Sequence, residues 1–260
     1  MANAPAHGID VRLDTEPRGS VAIVTVDNRR KLNTLNSALM RDLIAKVETL
    51  GKRDDLRALV LTGAGEAAFI GGASIDEMAA MGRSGAEAFI TLVHGTCDCL
   101  RQLPVPVIAR IDGYALGAGL EVAVSCDLRV ATTRAKFGMP EVKVGLPSVV
   151  EAALIPKLIG WGRARELLLT GETIDAETAL RWGLVERVVA PQELDLAVGK
   201  IVGALLAAGP HAVRSQKRLM QQWENLPTES AIAAGIDALV LAFDTDEPTR
   251  LLGAFLHRKR

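Results

Sequence analysis

Residues Asp112–Glu141 read DGYALGAGLEVAVSCDLRVATTRAKFGMPE, and the order of turn, helix and carboxylates in this stretch decides the fold. Gly117-Ala118-Gly119 is a small-residue turn two positions before Glu121, and a second carboxylate, Glu141, follows Pro140. Small residues let backbone N–H groups approach a ligand closely, and a helix that starts there adds the positive end of its dipole. Two glutamates near such a turn supply an acid and a base beside an anion-stabilising pocket. Taken alone, the same pattern also describes an ordinary helix start with two solvated carboxylates.

Working outward, Ala68–Met78 reads AFIGGASIDEM, another Gly-Gly-Ala turn leading into an amphipathic stretch. AFxxGAxIxEM, then DGYALGxGxE, then FGxPE resembles the enoyl-CoA hydratase/isomerase, or crotonase, superfamily. Three further segments agree in order. Asn28–Asn36 (NRRKLNTLN) resembles the family's NRPxxxNALN, and Leu168–Gly171 with Ala179–Val185 resembles its LLTGxxxxAxxAxxxGLV. Gly253–Arg260 (GAFLHRKR) resembles its C-terminal GxxAFLxKR. The resemblance covers roughly residues 15 to 260.

Composition sets the frame for that resemblance. The 260 residues are enough for one large domain, or for a main domain with an appendage, and 49% are hydrophobic. Only 3% are aromatic, so the core must be built from Ala, Val, Leu and Ile. A mean hydropathy of +0.22 is high for a soluble monomer. No apolar run reaches membrane-spanning length, so the surplus is expected in subunit contacts rather than in a membrane. A net charge of −1 gives no pull toward nucleic acid or anionic lipid. Cys97, Cys99 and Cys126 make an odd count without zinc spacing and read as reduced core residues of a cytoplasmic protein. The N-terminal MANAPAHGID has neither the charged nor the apolar region of a signal peptide and reads as a flexible lead over residues 1–12.

Strands are predicted at Ser20–Val26, Leu56–Leu61, Val107–Ile111, Leu128–Ala131 and Val185–Val189. Helices are predicted at Ser37–Leu50, Ala86–Leu100, Ala118–Ser125, Val149–Ile159, Arg163–Leu169, Ala176–Trp182 and Glu193–Ala208. On the first of these, Leu39, Leu43, Val47 and Leu50 form one stripe, with Asn36 or Ser37 as cap. After Pro210 the pattern is helical to the end. Alternation followed by helices alone means a mixed α/β body with a helical extension. The resemblance implies the rest of the architecture: an α/β crotonase-like spiral of ββα units over residues 13–206, with a helical C-terminal trimerisation region over 207–260.

Gly63-Ala64-Gly65-Glu66-Ala67-Ala68 fits a dinucleotide fingerprint by spacing. Gly71 and Gly72 follow too soon for a helix to open there, so a turn is expected instead of an NAD or FAD site. The resemblance implies an enzyme without metal or redox cofactor, acting on an acyl-CoA, coenzyme A being part of the substrate. Ala73 and Ala118 match the two oxyanion-hole amides, and Glu121 and Glu141 match the two glutamates of the hydratases. Family isomerases generally retain only the second acid, so retention of both favours reversible hydration of a trans-2-enoyl-CoA to a 3-hydroxyacyl-CoA. An isomerase or another CoA-enolate enzyme is the alternative. The positions that the resemblance assigns to substrate and CoA are Arg29, Lys31, Leu32, Ala68, Ile70, Gly72, Ser74, Ile75, Asp76 and Gly117, with Phe255 and Lys259 reaching CoA in a neighbouring subunit.

Three departures stand out. Ser74 occupies a position where Asp is usual and Asp76 one where Lys is frequent, which predicts weaker CoA contacts there. In place of a PGxGG run after Glu141 stands Leu146–Ala152 (LPSVVEA), with Val149 at a glycine position beside the expected water and Glu151 as a third carboxylate. His94 lies near a catalytic histidine of the family's aryl-CoA dehalogenases, but no partnering aspartate nucleophile is found, and a structural or exposed histidine is expected. An RNA-binding member would need a lysine-rich helix, whereas Ser37–Leu50 carries only Arg41 and Lys46. Acyl-pocket depth is expected to depend on Met78, Met81, Phe89, Ile90 and Val149.

Overall fold

A computed structural model describes residues 7–258. The strands in order are β1 Gly8–Glu16, β2 Gly19–Asp27, β3 Leu56–Gly63, β4 Ala68–Ile70, β5 Val107–Ile111, β6 Tyr114–Leu116, β7 Leu128–Thr132, β8 Lys136–Gly138, β9 Thr173–Asp175 and β10 Arg187–Val189. The helices are α1 Ser37–Gly51, α2 Ile75–Ala79, α3 Arg83–Gln102, α4 Ala118–Ser125, α5 Ile155–Ile159, α6 Trp161–Thr170, α7 Ala176–Trp182, α8 Leu194–Ala207, α9 Pro210–Trp223, α10 Thr228–Ala242 and α11 Glu247–Arg258. Gly8–Glu16 is paired antiparallel with β2 along its whole length, which corrects the flexible lead expected over residues 1–12 from Gly8 onward. Its alternation is masked because this edge strand is mostly exposed.

A six-stranded sheet has the order β1-β2-β3-β5-β7-β10, parallel apart from the β1–β2 pair. A second sheet has the order β4-β6-β8-β9. Each of β3, β5 and β7 runs within a few residues into β4, β6 and β8, and the chain then turns helical. These are the repeated ββα units of a spiral. The sequence reading missed the whole second sheet, because three-residue strands are too short to display a period of two.

β3 is buried on both faces, as a parallel strand between two layers must be. Leu59 and Leu61 enter the main core, while Ala58 and Val60 face α8 through Ala197, Val198 and Ile201. In α1 the buried stripe is Leu39, Met40, Leu43, Val47 and Leu50, and the cap is Asn36, whose side chain accepts from the Leu39 amide at 2.8 Å. α4 is buried at every position, so it threads through the body rather than lying on it. Gly119 makes this possible, since a β-carbon there would lie 2.0 Å from the Ile70 carbonyl oxygen.

The predicted helix over Val149–Ile159 is a tight 3-10 turn at Val150–Leu154 followed by α5, with Val150 at φ 39°. The last three helices sit against the body through a few polar clasps. Lys217 of α9 donates to the Leu100 and Val105 carbonyls at 3.2 and 3.0 Å and to Asp127 at 2.8 Å. Glu247 accepts from the His211 and Ala212 amides at the start of α9. α10 has no buried residue, although it carries Ile232, Ile236, Leu239 and Val240. Among the described residues, no single helix is long and apolar enough to cross a membrane. The three cysteines are unpaired, and burial pushes the Cys99 and Cys126 thiols up to about 12.

Candidate active site

A cavity of about 750 Å³ opens between the ends of β4 and β6, α2, α3 and the segment following β8. Its walls include Gly72, Ala73, Ile75, Gly117, Ala118, Glu121 and Glu141, so the two glycine turns and both carboxylates meet in one place. The far wall is apolar, with Met78, Met81, Phe89, Ile90 and Val149, all five expected at the acyl pocket.

Local backbone geometry prepares the two amides. Leu35 makes an isolated parallel bridge to Ala73, donating to the Gly72 carbonyl and accepting from the Ser74 amide, both at 2.8 Å. In a parallel bridge the middle residue directs its own N–H to the opposite side, so the Ala73 amide is left for the cavity. Ala118 is the first residue of α4, where no intrahelical acceptor exists for its N–H. Gly117 precedes it at φ 51°, ψ −124°, a conformation that side chains disfavour.

Glu121 projects from the buried helix α4 and is 4% exposed. Burial, reinforced by Glu141 and Glu151, lifts its carboxyl to about 8, against the opposing pull of the Ala152 amide. Glu141 sits in the 3-10 turn Pro140–Val144 and accepts from the Ser148 hydroxyl at 2.8 Å. Two otherwise identical carboxyl groups therefore stand in unlike surroundings, and burial keeps Glu121 protonated at neutral pH. Ser148 is a site residue that sequence reasoning did not single out. Its only signal was its place in the departing loop, which β-hydroxyl chemistry alone does not distinguish from a turn serine.

The remaining expected positions divide. Ala68 and Ile70 are wholly buried in β4, so their side chains support the site from beneath and do not line the cavity. Ser74 caps α2, accepting from the Glu77 amide. Lys31 and Asp76 pair at 2.5 Å on the surface, so the Asp76 departure supplies a partner to a lysine expected to meet CoA. Arg29 pairs with Asp27 at 2.8 Å, and Leu32 is exposed beside it, its carbonyl accepting from Gly71. Phe255 lines a different cavity, formed by α9, α10 and α11, and Lys259 lies outside the described residues. Gly63 closes β3 and Gly65, at φ 77°, lies in the turn to β4, so a strand and not a helix follows this glycine run. Of the two departures after Glu141, Val149 faces the cavity, but Glu151 turns away toward His94, which does not line it.

A family model described as enoyl-CoA hydratase/isomerase matches residues 16–260. The short-chain-enoyl-CoA hydratase of Clostridium acetobutylicum is 34% identical over 246 residues, 94% of either chain. The crotonyl-CoA hydratase of Syntrophomonas wolfei is 33% identical over 94% of this chain and 95% of its own. The crystal structure of an enoyl-CoA hydratase from Bacillus anthracis superimposes with a TM-score of 0.91 at 31% identity, covering 96% of each chain.

Proposed function

The chain belongs to the enoyl-CoA hydratase/isomerase family, and from that premise we propose that Glu121, Glu141 and the amides of Ala73 and Ala118 carry out its hydration of an enoyl-CoA. The thioester carbonyl lies between the two amides, which stabilise the negative charge that gathers on its oxygen as the enolate forms. The ionised carboxylate takes a proton from water while the water oxygen bonds to the β-carbon. The protonated one delivers its proton to the α-carbon, so that H and OH are added and the pair ends with one proton, as it began. In the free enzyme the proton rests on Glu121, because burial disfavours its charged form.

The observation that carries this reading is the convergence of two carboxylates of unlike environment and two unengaged amides on one largely apolar cavity. The apolar wall from Met78 to Val149 receives the acyl chain, and a water held between carboxylates is shielded from bulk. The atoms of the reaction come from water and the thioester, and no redox or metal chemistry is needed to balance it.

Assembly follows from the exposed apolar faces. Unburied Ile232, Ile236, Leu239 and Val240 on α10 support a homotrimer, or a dimer of trimers, in which α9–α11 cover a neighbouring subunit. Phe255 and Lys259 would then meet CoA across that interface. Three cysteines without a disulfide fit a reducing, cytoplasmic location.

The test is turnover of crotonyl-CoA and a 3-enoyl-CoA by wild type, Glu121→Gln and Glu141→Gln, with circular dichroism as folding control. Both near-isosteric variants are expected to lose hydration through kcat. Full hydration by Glu121→Gln would end the two-glutamate scheme. Conversion of the 3-enoyl thioester that depends on Glu141 alone would identify an isomerase.

A further inference from the structure

The hydration scheme gives no task to the acidic residue of AFIGGASIDEM, Glu77, nor to the segment Asn28–Asn36. The structure joins the two. Glu77 belongs to α2 but does not line the cavity. Its Oε2 instead accepts from the Ser37 amide at 3.0 Å and from the Ser37 hydroxyl at 2.7 Å. Ser37 opens α1, so its N–H has no acceptor within the helix, and the carboxylate stands at the positive end of 15 helical residues.

From Leu32 to Ser37 the chain grips the cavity loop step by step. The Leu32 carbonyl accepts from Gly71, Leu35 donates to the Gly72 carbonyl and accepts from the Ser74 amide, each at 2.8 Å, and Ser37 donates to Glu77. The first turn of α2 closes the figure, with the Ser74 carbonyl accepting from Met78 at 3.1 Å and its hydroxyl from Glu77 at 3.4 Å. Leu35–Ser37 and Ser74–Glu77 are thus two sides of one ring, and Ala73 is joined to it at Ser74. The base of the grip is fixed. Leu32 and Asn33 both stand at positive φ, 53° and 56°, and the Asn33 side chain donates to the Ala64 and Ala68 carbonyls at 3.0 and 2.7 Å while accepting from Asn28 at 2.9 Å. The Leu35 links run from backbone to backbone and survive substitution, whereas the Ser37 link depends on one carboxylate. The Gly72 carbonyl and the Ala73 N–H belong to a single planar peptide, so whatever holds Leu35 against Gly72 also aims that N–H.

We propose that Glu77 is a positioning residue for the Ala73 amide: by holding Ser37 it locks the Leu35 bridge that directs the Gly72–Ala73 peptide into the cavity. The proposal rests on the reading that this amide receives the thioester oxygen. Glu77 lies off the cavity and acts only through that peptide.

The experiment reads the amide through a bound chromophore, p-dimethylaminocinnamoyl-CoA, whose absorption band moves to longer wavelength as its carbonyl oxygen accepts hydrogen bonds. Wild type is expected to shift the band of the bound thioester. Glu77→Met fills similar space without an acceptor; it should shift the band less and lower kcat for crotonyl-CoA by about 10- to 10²-fold with KM nearly unchanged. Glu77→Gln keeps an oxygen for Ser37 and is expected to recover most of both. Ser37→Ala, which loses the hydroxyl but keeps the amide, should fall between wild type and Glu77→Met, and should add nothing to Glu77→Met. A merely structural role would lower the unfolding midpoint and leave the band of the saturated enzyme in place. A wild-type band in folded Glu77→Met, or no recovery in Glu77→Gln, overturns the proposal. If Glu77→Met does not fold, a wild-type band in Ser37→Ala does so instead. A band unmoved by wild type itself defeats the reading of the amides as carbonyl donors, whereas a wild-type shift that the variants retain defeats the Glu77 role alone.

Discussion

A β-carbon on Gly117 would stand 2.4 Å from Oε1 of Glu141. The residue that opens α4 and the carboxylate that closes the site from β8 thus occupy one contact, with no room for a methyl group between them. Gly117 also adopts φ 51°, ψ −124°, so its lack of a side chain is required twice. Gly117→Ala is expected to displace Glu141 and reduce kcat/KM for crotonyl-CoA by at least ~10-fold. The backbone strain should also cost about 1–3 kcal/mol in denaturant unfolding. Unchanged kinetics would show that Glu141 does not act from its observed place.

The Ala118 amide can be tested without touching a charged group. Ala118→Val keeps the N–H but crowds the approach of the thioester oxygen. A loss on the order of 10²-fold in turnover is expected, comparable to removal of one oxyanion donor, with the far-ultraviolet spectrum preserved. Near wild-type turnover would remove Ala118 from the site.

Stability should carry the imprint of Glu121. The folded protein holds its proton up to about 8, whereas the ordinary value is 4.5. The native state therefore binds more protons between these two values, and stability contributed below 4.5 is lost as pH rises through 8. Glu121→Gln cannot ionise. Its stability relative to wild type is expected to be flat below about pH 4 and to rise by several kcal/mol toward about pH 9, measured by urea unfolding. A difference independent of pH would mean that Glu121 is not held protonated.

Assembly provides a fourth test. Multi-angle light scattering at micromolar concentration is expected to report a trimer or a hexamer. Ile236→Asp, on the unburied face of α10, should shift the population toward monomer while leaving the α/β body folded. A monodisperse wild-type monomer would overturn the assembly.

Much of the large sheet could be read along the chain, because β2, β3 and β5 are apolar runs flanked by Gly and Pro and sandwiched between layers. α4 was legible to the residue, since the Gly-Ala-Gly turn marks its start and its apolar run its length. The second sheet was not, for β4, β6 and β8 are three residues each and owe their pairing to neighbours distant in sequence. β1 escaped because an exposed edge strand lacks the alternation that burial imposes.

The same division holds at the site. Which residue types were present, two glutamates and two small-residue turns, is a property of the sequence and of its family motifs. What each group can do was decided only by the tertiary structure. Glu121 and Glu141 are the same amino acid, but Glu121 lies in the wholly buried α4, which lifts its carboxyl to about 8, whereas Glu141 sits in the less buried turn after β8. Glu151 seemed from its position to be a third acid near the water, yet the positive φ of Val150 rotates it out of the cavity and onto His94. Protonation and direction depend on which atoms surround a group in space, and long-range packing supplies those atoms.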